Sequence, residues 1–302
     1  MVRIAQIGER GLIERLRRVL GRPSGGGVLA GIGDDAAVLR APRGDVLLAS
    51  DMCIEGVHFR RRDTAPEGIG WKALAVNVSD IAAMGGIPLA AVVSLGLPRA
   101  TPVREVERIY AGLRRCARRF RLSVVGGDTV RAPQLVLDVA ILGTAPRSGA
   151  VLRSGARVGD ALFVTGRLGG SYGSGRHARF LPRVREAQAL LKRVRVHAMM
   201  DLSDGLASDL WQMARASRVT IRIDAARIPV SKAARTLAHA LEDGEDFELL
   251  FAVGARQAAR VPRRIGACPV TRIGTVVRRG AHVELADGDR VRRLGTGGFR
   301  HF

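Results

Sequence analysis

Between residues 102 and 120 the chain reads PVREVERIYAGLRRCARRF, with apolar residues at 103, 106, 109, 110, 113 and 116. That spacing draws one apolar stripe along a helix with an Arg-rich outer face, so the segment has to lie on something apolar. Its neighbours supply the surface. VLLAS (46–50), AAVVSLGL (90–97), LSVVGGD (122–128) and QLVLDVAILG (134–143) are short apolar runs punctuated by Gly, Pro or Asp, and they read as strands, the first ending in Asp51. GWKALAVNVSDIAAM (70–84) reads as a second helix, which carries Asp80 in an apolar run. The first half therefore alternates strand-like runs with helical stretches.

GTAPRSGAVLRSGARVGD (143–160) is rich in Gly, Arg and Ser and predicts a boundary between domains 1–148 and 149–302, each long enough to build its own core. Beyond it, ALFVTG (161–166) opens the second half. DLSDGLASDLWQMARAS (201–217) reads as a helix capped by Asp or Ser, and VTIRID (219–224), FELLFAV (247–253) and VTRIGTVV (270–277) read as strands. No short-period repeat is visible.

The formal net charge of +21 raises nucleic acid as a partner. Of the 49 basic residues only Lys72, Lys192 and Lys232 are lysine, which suggests a compositional bias toward Arg codons. The arginines are dispersed and aromatics make up 4%, leaving little surface on which bases could stack. Most are expected on solvated faces, and specific nucleic-acid binding is not expected. Cys53, Cys116 and Cys268 are scattered, with no zinc or disulfide spacing. The first residues lack a signal-type apolar core, and no apolar run approaches the ~18 residues of a membrane span. The expectation is a soluble, cytoplasmic protein.

In so basic a chain the acidic residues are the scarce resource, and they are grouped. GIGDDAAV (31–38), SDMCIEGVHF (50–59), NVSDIAAMGG (77–86), GGDTV (126–130), DLSDGL (201–206) and DGEDFELLF (243–251) each set Asp beside Gly or Ser. Magnesium takes hard oxygen ligands shared with waters and phosphates, and phosphoryl transfer depends on positioning and charge neutralisation. Taken singly, Asp201 or Asp204 could be a helix cap, and Gly33-Asp34 or Gly127-Asp128 a turn; Asp80 is the one without such an explanation. Six segments together point to metal-assisted phosphate chemistry. There is no G-x-x-x-x-G-K-[ST] loop and no protein-kinase signature, so a nucleotide would be held through metals and glycine-rich backbone.

In order along the chain, GIGDDAAVL, SDMCIEGVHF, WKALAVNVSDIAAMGG, GGDTV, LRSGARVGD, DLSDGLASDL and GEDFELLF resemble the motifs of the thiamine-monophosphate kinase family, within the aminoimidazole ribonucleotide synthetase superfamily. The resemblance runs from about residue 28 to 277. It implies a two-domain fold, with an α/β N-terminal domain that forms a dimer barrel with its mate and an α+β C-terminal domain. It implies direct transfer of the ATP γ-phosphoryl to thiamine phosphate, with several Mg²⁺ ions and a homodimer. Carried over residue by residue, the metal ligands fall on Asp35, Ser50, Asp51, Asp80, Asp128, Asp201 and Asp204. The ATP contacts fall on Tyr110, Gly127, Asp128, Arg153 and Ser203, and the substrate contacts on His58 and Glu245. Thr296 stands where the family often has a substrate-stacking Trp, so Phe299 or Phe302 would have to supply a ring. No general base is implied, because a phosphate oxygen is already a nucleophile. Read without the resemblance, Tyr110 and His58 are ordinary core or surface residues and Arg153 is a suitable phosphate fork.

Two further departures are Asp243 at a usual Gly, and a short 175–198 segment without the usual proline-containing pattern. The rivals within the superfamily are aminoimidazole ribonucleotide synthetase itself, selenophosphate synthetase and the hydrogenase-maturation dehydratase. PSGGGVLAGIG lacks the reactive Cys of the second, and the RHF end lacks the cysteine of the third. A basic nucleic-acid-binding protein is the remaining reading, and grouped carboxylates oppose it because they repel phosphates unless metals intervene.

Overall fold

The computed structural model describes residues 2–23, 27–32 and 36–299. The chain divides into two compact units, residues 1–81 with 86–148, and residues 82–85 with 149–302. No described helix is long and apolar enough to cross a membrane.

The first unit contains α1 (Ile4–Leu20), β1 (Val28–Ala30), β2 (Val38–Leu39), β3 (Val46–Ile54), α2 (Pro66–Ala83), β4 (Ile87–Leu97), α3 (Val103–Phe120), β5 (Ser123–Arg131) and β6 (Val136–Thr144). β1 and β2 form a small antiparallel pair. The main sheet has the order β3-β6-β4-β5, antiparallel except for β4 and β5. Those two are parallel because α3 connects them, as a parallel crossover requires.

Strand alternation gives this sheet two unlike faces. Leu47, Cys53, Val93, Leu95, Leu137, Val139 and Ile141 are buried. The opposite face leaves Val46, Leu48, Met52, Ile87, Val92 and Val130 exposed, Leu48 by 76%. Residues 69–79 of α2 are buried all round, as a helix apolar on every side must be. Its fit against α3 depends on two glycines. A Cβ on Gly70 would fall 1.8 Å from the Ile109 carbonyl oxygen, and one on Gly112 2.0 Å from that of Glu67, so the two backbones touch.

Several arginines have structural partners in this unit. Arg108 forks onto Glu67 at 2.7 and 2.9 Å, Arg61 onto Glu105 at 2.7 and 2.5 Å, and Arg15 meets Glu107 at 3.1 Å. α1, which the periodicity did not announce, buries only Leu12 and Leu16 and is interrupted at Gly8, whose φ is 64°.

The second unit contains β7 (Ala161–Thr165), α4 (Val184–Leu191), β8 (Val196–Asp201), α5 (Leu206–Ser217), β9 (Val219–Asp224), α6 (Leu237–Glu242), β10 (Leu249–Val253), α7 (Ala255–Ala258), β11 (Arg264–Ile265), β12 (Cys268–Arg279), β13 (His282–Asp287) and β14 (Arg290–Arg293). Its sheet runs β14-β13-β9-β12-β7-β10-β8, with β11 paired to β12. Only β13 and β9 are parallel. β7 and β10 are buried along their whole length because each face carries a core. On one side Leu162, Val164, Leu250 and Ala252 pack with Leu210, Trp211 and other residues of α5. On the other, Phe163 stacks on Phe251 with ring centres 5.4 Å apart, among Ala187 and Leu190 of α4.

Two expectations about element ends change. β3 continues to Ile54, so Asp51 sits within the strand and not at its end. The 201–217 segment is not one capped helix: Asp201 ends β8, and α5 begins at Leu206 after Gly205, which makes no side-chain cap.

Candidate active site

In the first unit, β3 and α2 bring acidic groups together. Neighbouring strand residues project to opposite faces, so Ser50 and Asp51 part company. Ser50 Oγ donates to Asp138 Oδ1 at 3.0 Å on the exposed face. Asp51 turns toward α2, where its backbone N–H donates to Asn77 Oδ1 at 3.1 Å and its carboxyl shares a hydrogen bond with Asp80. Asn77 is fixed in turn, its Nδ2 donating to the Ala73 carbonyl at 3.0 Å. Burial pushes the Asp51 carboxyl above its usual range, Asp138 pushes the same way, and the Asp80 hydrogen bond pulls it back. Desolvated carboxyls pressing on one another are an arrangement that a divalent cation relieves.

Asp128 lies on β5, in register with Ser94 of β4, which is in register with Asp138 of β6. It is exposed, and its Oδ1 accepts from the Thr129 N–H at 2.7 Å. Gly127 beside it has φ 147°, and a Cβ there would fall 1.9 Å from the Val93 carbonyl oxygen, so no other residue fits. His58 follows β3; its Nδ1 accepts from the Ile54 N–H at 3.0 Å, which leaves the proton on Nε2 in the neutral ring. Its carbonyl accepts from the buried Lys72 Nζ at 2.5 Å. Tyr110 is 5% exposed on the inward stripe of α3, and burial pushes its phenol well up. It is a core residue of this unit. Asp35 lies outside the described residues.

In the second unit, the turn between β8 and α5 gathers the other candidates. Asp201 is 9% exposed at the end of β8, and Ser203 and Asp204 occupy the turn itself. Asp209, one turn into α5, is fully buried and was missed in the sequence. Its Oδ2 accepts from the Asp204 N–H at 3.3 Å. Burial pushes its carboxyl well up, and Asp204 and Asp201 add to the shift. Gln212 donates to Asp209 at 3.0 Å and to Asp204 at 3.4 Å, and accepts from Arg153 Nη1 at 2.5 Å. The Arg153 loop is tied down by Ser217 Oγ, which accepts from Gly155 and Ala156 N–H and donates to the Arg153 carbonyl. Thus Arg153 is linked to Asp204 through one glutamine.

The GED turn closes on the same place. Glu245 N–H donates to the Ser203 carbonyl at 2.7 Å and Phe247 N–H to that of Leu202 at 2.7 Å. Glu245 and Phe247 hold φ values of 64° and 50°, left-handed conformations that side chains resist. What holds them is a buried ionic frame. Asp246, 2% exposed, accepts from Gly169 N–H at 2.8 Å and is paired with Arg176. Glu248, 1% exposed, accepts from Arg183 at 2.6 and 2.5 Å and from Thr165 Oγ1 at 2.7 Å. Burial pushes Asp246 up to about 7 against the pull of Arg176. Arg176 and Arg183 are therefore structural cations, exceptions to the expectation that most arginines lie on solvated faces.

The tail lies over the turn: Phe299 N–H donates to the Asp204 carbonyl at 2.9 Å, and Gly298 abuts that carbonyl. Thr296 is half-buried at the start of this tail.

Among the described residues no three His, Cys, Asp or Glu are gathered tightly enough to hold a metal ion by themselves.

Residues 33–145 match the family described as AIR synthase related protein, N-terminal domain, and residues 157–285 match its C-terminal domain. A thiamine-monophosphate kinase from Rhodopirellula baltica is 40% identical over 294 residues, covering 91% of this chain and 92% of the relative. The chain belongs to the thiamine-monophosphate kinase family. Among solved structures, AaThiL complexed with AMPPCP and TMP is similar at TM-score 0.76 and 32% identity, covering 100% of this chain and 99% of that one. The hydrogenase maturation protein HypE of E. coli reaches TM-score 0.78 at 21% identity, over 97% of this chain and 98% of its own. The fold alone therefore does not separate the two families, and sequence identity over the full length does.

Proposed function

We propose that this chain transfers the γ-phosphoryl of ATP to thiamine monophosphate, giving thiamine diphosphate and ADP. The observation that carries the reading is the β8–α5 turn. There Asp204 is linked to Arg153 through Gln212, and the neighbouring Ser203 carbonyl accepts from the Glu245 N–H, with Asp201 at the end of β8 beside them, so residues matching metal, nucleotide and acceptor positions of the family lie on one turn. The relatives that match over most of the chain carry that activity in their names, and AaThiL was crystallised with an ATP analogue and TMP.

In this reading Arg153 offers a fork of donors to a phosphate, Ser203 a hydroxyl, and Gly127 a backbone that a nucleotide can approach closely. Asp51, Asp80 and Asp128 of the first unit, and Asp201 and Asp204 of the second, are the proposed magnesium ligands. Ser50, whose side chain faces Asp138, could reach the same ion as Asp51 only by its carbonyl. Magnesium, when bound, neutralises charge on the transferring phosphoryl group. The acceptor phosphate oxygen needs no base, so in-line attack depends on alignment. Glu245, held rigid, and His58, whose Nε2–H is a donor, are the proposed acceptor contacts. Tyr110 would touch a nucleotide only by the edge that its burial leaves.

The apolar exposed face of the first unit's sheet supports a homodimer. A face carrying Val46, Leu48, Met52, Ile87, Val92 and Val130 is costly in water, and a second copy would cover it.

The test is to supply the purified chain with ATP, Mg²⁺ and, in parallel, thiamine monophosphate, thiamine and aminoimidazole-type ribonucleotides. Phosphorylation of thiamine monophosphate alone supports the proposal; turnover of another acceptor in its place overturns it.

A further inference from the structure

We propose that Tyr172, stacked on His177 beside Glu245, is the specificity-determining wall for a flat cationic ring on the acceptor. The inference rests on the acceptor reading given above and names a residue which that reading does not use.

A ring can sort ligands only if it is accessible, held still and close to the acceptor. Among the described residues of the second unit, Tyr172 (41% exposed) and Phe299 (45%) are the exposed aromatic rings. Phe163, Phe180, Trp211, Phe247 and Phe251 are all buried. Tyr172 is connected to Glu245 through His177. Its ring lies 4.4 Å from that of His177, at 21° between planes, and His177 Nδ1 lies 3.6 Å from Glu245 Oε2. His177 is 4% exposed, so the stack has a fixed floor.

The loop that carries Tyr172 is fixed as well. Gly169 and Gly170 N–H donate to Asp246 and Asp243, each at 2.8 Å. His177 N–H donates to the Ser171 carbonyl, and Arg176 to the Arg167 carbonyl at 3.0 Å. Asp243 thereby anchors this loop. The same frame that strains Glu245 and Phe247 also sets the ring, and strain retained beside an exposed ring marks a site built for binding.

The chemistry fits one class of ligand. A flat cation gains from an electron-rich ring face and from a nearby carboxylate, and Tyr172 and Glu245 supply both on either side of one histidine.

The test compares Tyr172→Phe, Tyr172→Leu and Phe299→Ala with wild type, each checked for an unchanged melting temperature, by steady-state kinetics with ATP and thiamine monophosphate. Tyr172→Leu is expected to raise the acceptor KM by between about 2- and 30-fold, the range for a cation–π contact. The KM for ATP and kcat should stay within about twofold, the signature of lost uniform binding. Tyr172→Phe should retain the wild-type acceptor KM. Active wild type with an unchanged acceptor KM in Tyr172→Leu overturns the assignment and leaves the kinase reading standing. So does an increase confined to Phe299→Ala. A wild type that does not phosphorylate thiamine monophosphate overturns both.

Discussion

The Arg183–Glu248 pair offers a sharp test of what holds the second unit's turns in place. Glu248 is 1% exposed and takes two hydrogen bonds from Arg183, at 2.6 and 2.5 Å, and one from Thr165 Oγ1. Burial works against the Arg183 charge, and Glu248 more than restores it. In Arg183→Met the carboxylate stays buried and loses its fork. Breaking one side of such a pair costs roughly 3–5 kcal/mol. Arg176 Nη1 remains 3.6 Å from Glu248, which argues for the lower end, about 3 kcal/mol. For a unit of this size that lowers the melting temperature by roughly 6–12 °C. Calorimetry of the whole chain would record it in the second unit's transition. The double variant Arg183→Met/Glu248→Gln removes the stranded charge and should recover part of the loss. A single variant that melts with wild type, or a double variant no better than the single, would refute the reasoning.

Three more outcomes are expected. Gly112→Ala drives a Cβ to 2.0 Å from the Glu67 carbonyl and should destabilise the first unit by about 1–3 kcal/mol or more, whereas Gly126→Ala, with 3.5 Å to Val92, should cost less; chemical denaturation of the two compares them directly. Asp246 has a folded-state pKa raised to about 7, so the folded state binds the extra proton and stability is lost as pH rises from about 4 to about 7. Asp246→Asn should flatten that stretch of a melting-temperature profile. Asp80→Asn should fold as wild type yet lose at least tenfold in turnover, and chelation should abolish wild-type turnover until Mg²⁺ is restored.

Local pattern carried much of the architecture. The 102–120 stripe is α3, and its apolar positions Val103, Val106, Ile109, Tyr110, Leu113 and Cys116 are all buried, together with Gly112 and Ala117. An Asp suggests a strand terminus at residue 51, but Met52, Cys53 and Ile54 keep the alternation going; within the strand Asp80 shares a hydrogen bond with the Asp51 carboxyl and Asn77 Oδ1 accepts from its backbone N–H. Taken singly, Asp201 or Asp204 could be a helix cap by its place in the pattern, but VHAMMD is the strand β8 and Asp201 ends it, with α5 beginning only at Leu206.

At the site, the acidic segments were visible as composition, but their partners were not. Arg176 meets Asp246 and Arg183 meets Glu248 across about 65–70 residues of chain, a pairing no local spacing encodes. Asp209 carries no distinguishing pattern in the sequence; its partner, the Asp204 N–H, comes from the turn before α5. The stack of Tyr172 on His177 depends on a loop conformation set by Asp243 and Asp246, again distant in sequence.

The central claim is direct transfer of a phosphoryl group to a phosphate acceptor. Mass spectrometry of a reaction with ATP bearing ¹⁸O on its γ-phosphoryl, Mg²⁺ and thiamine monophosphate tests it in one run. The account predicts thiamine diphosphate whose terminal phosphoryl carries the label, formed mole for mole with ADP. Labelled inorganic phosphate and ADP, with thiamine monophosphate unchanged, would contradict it.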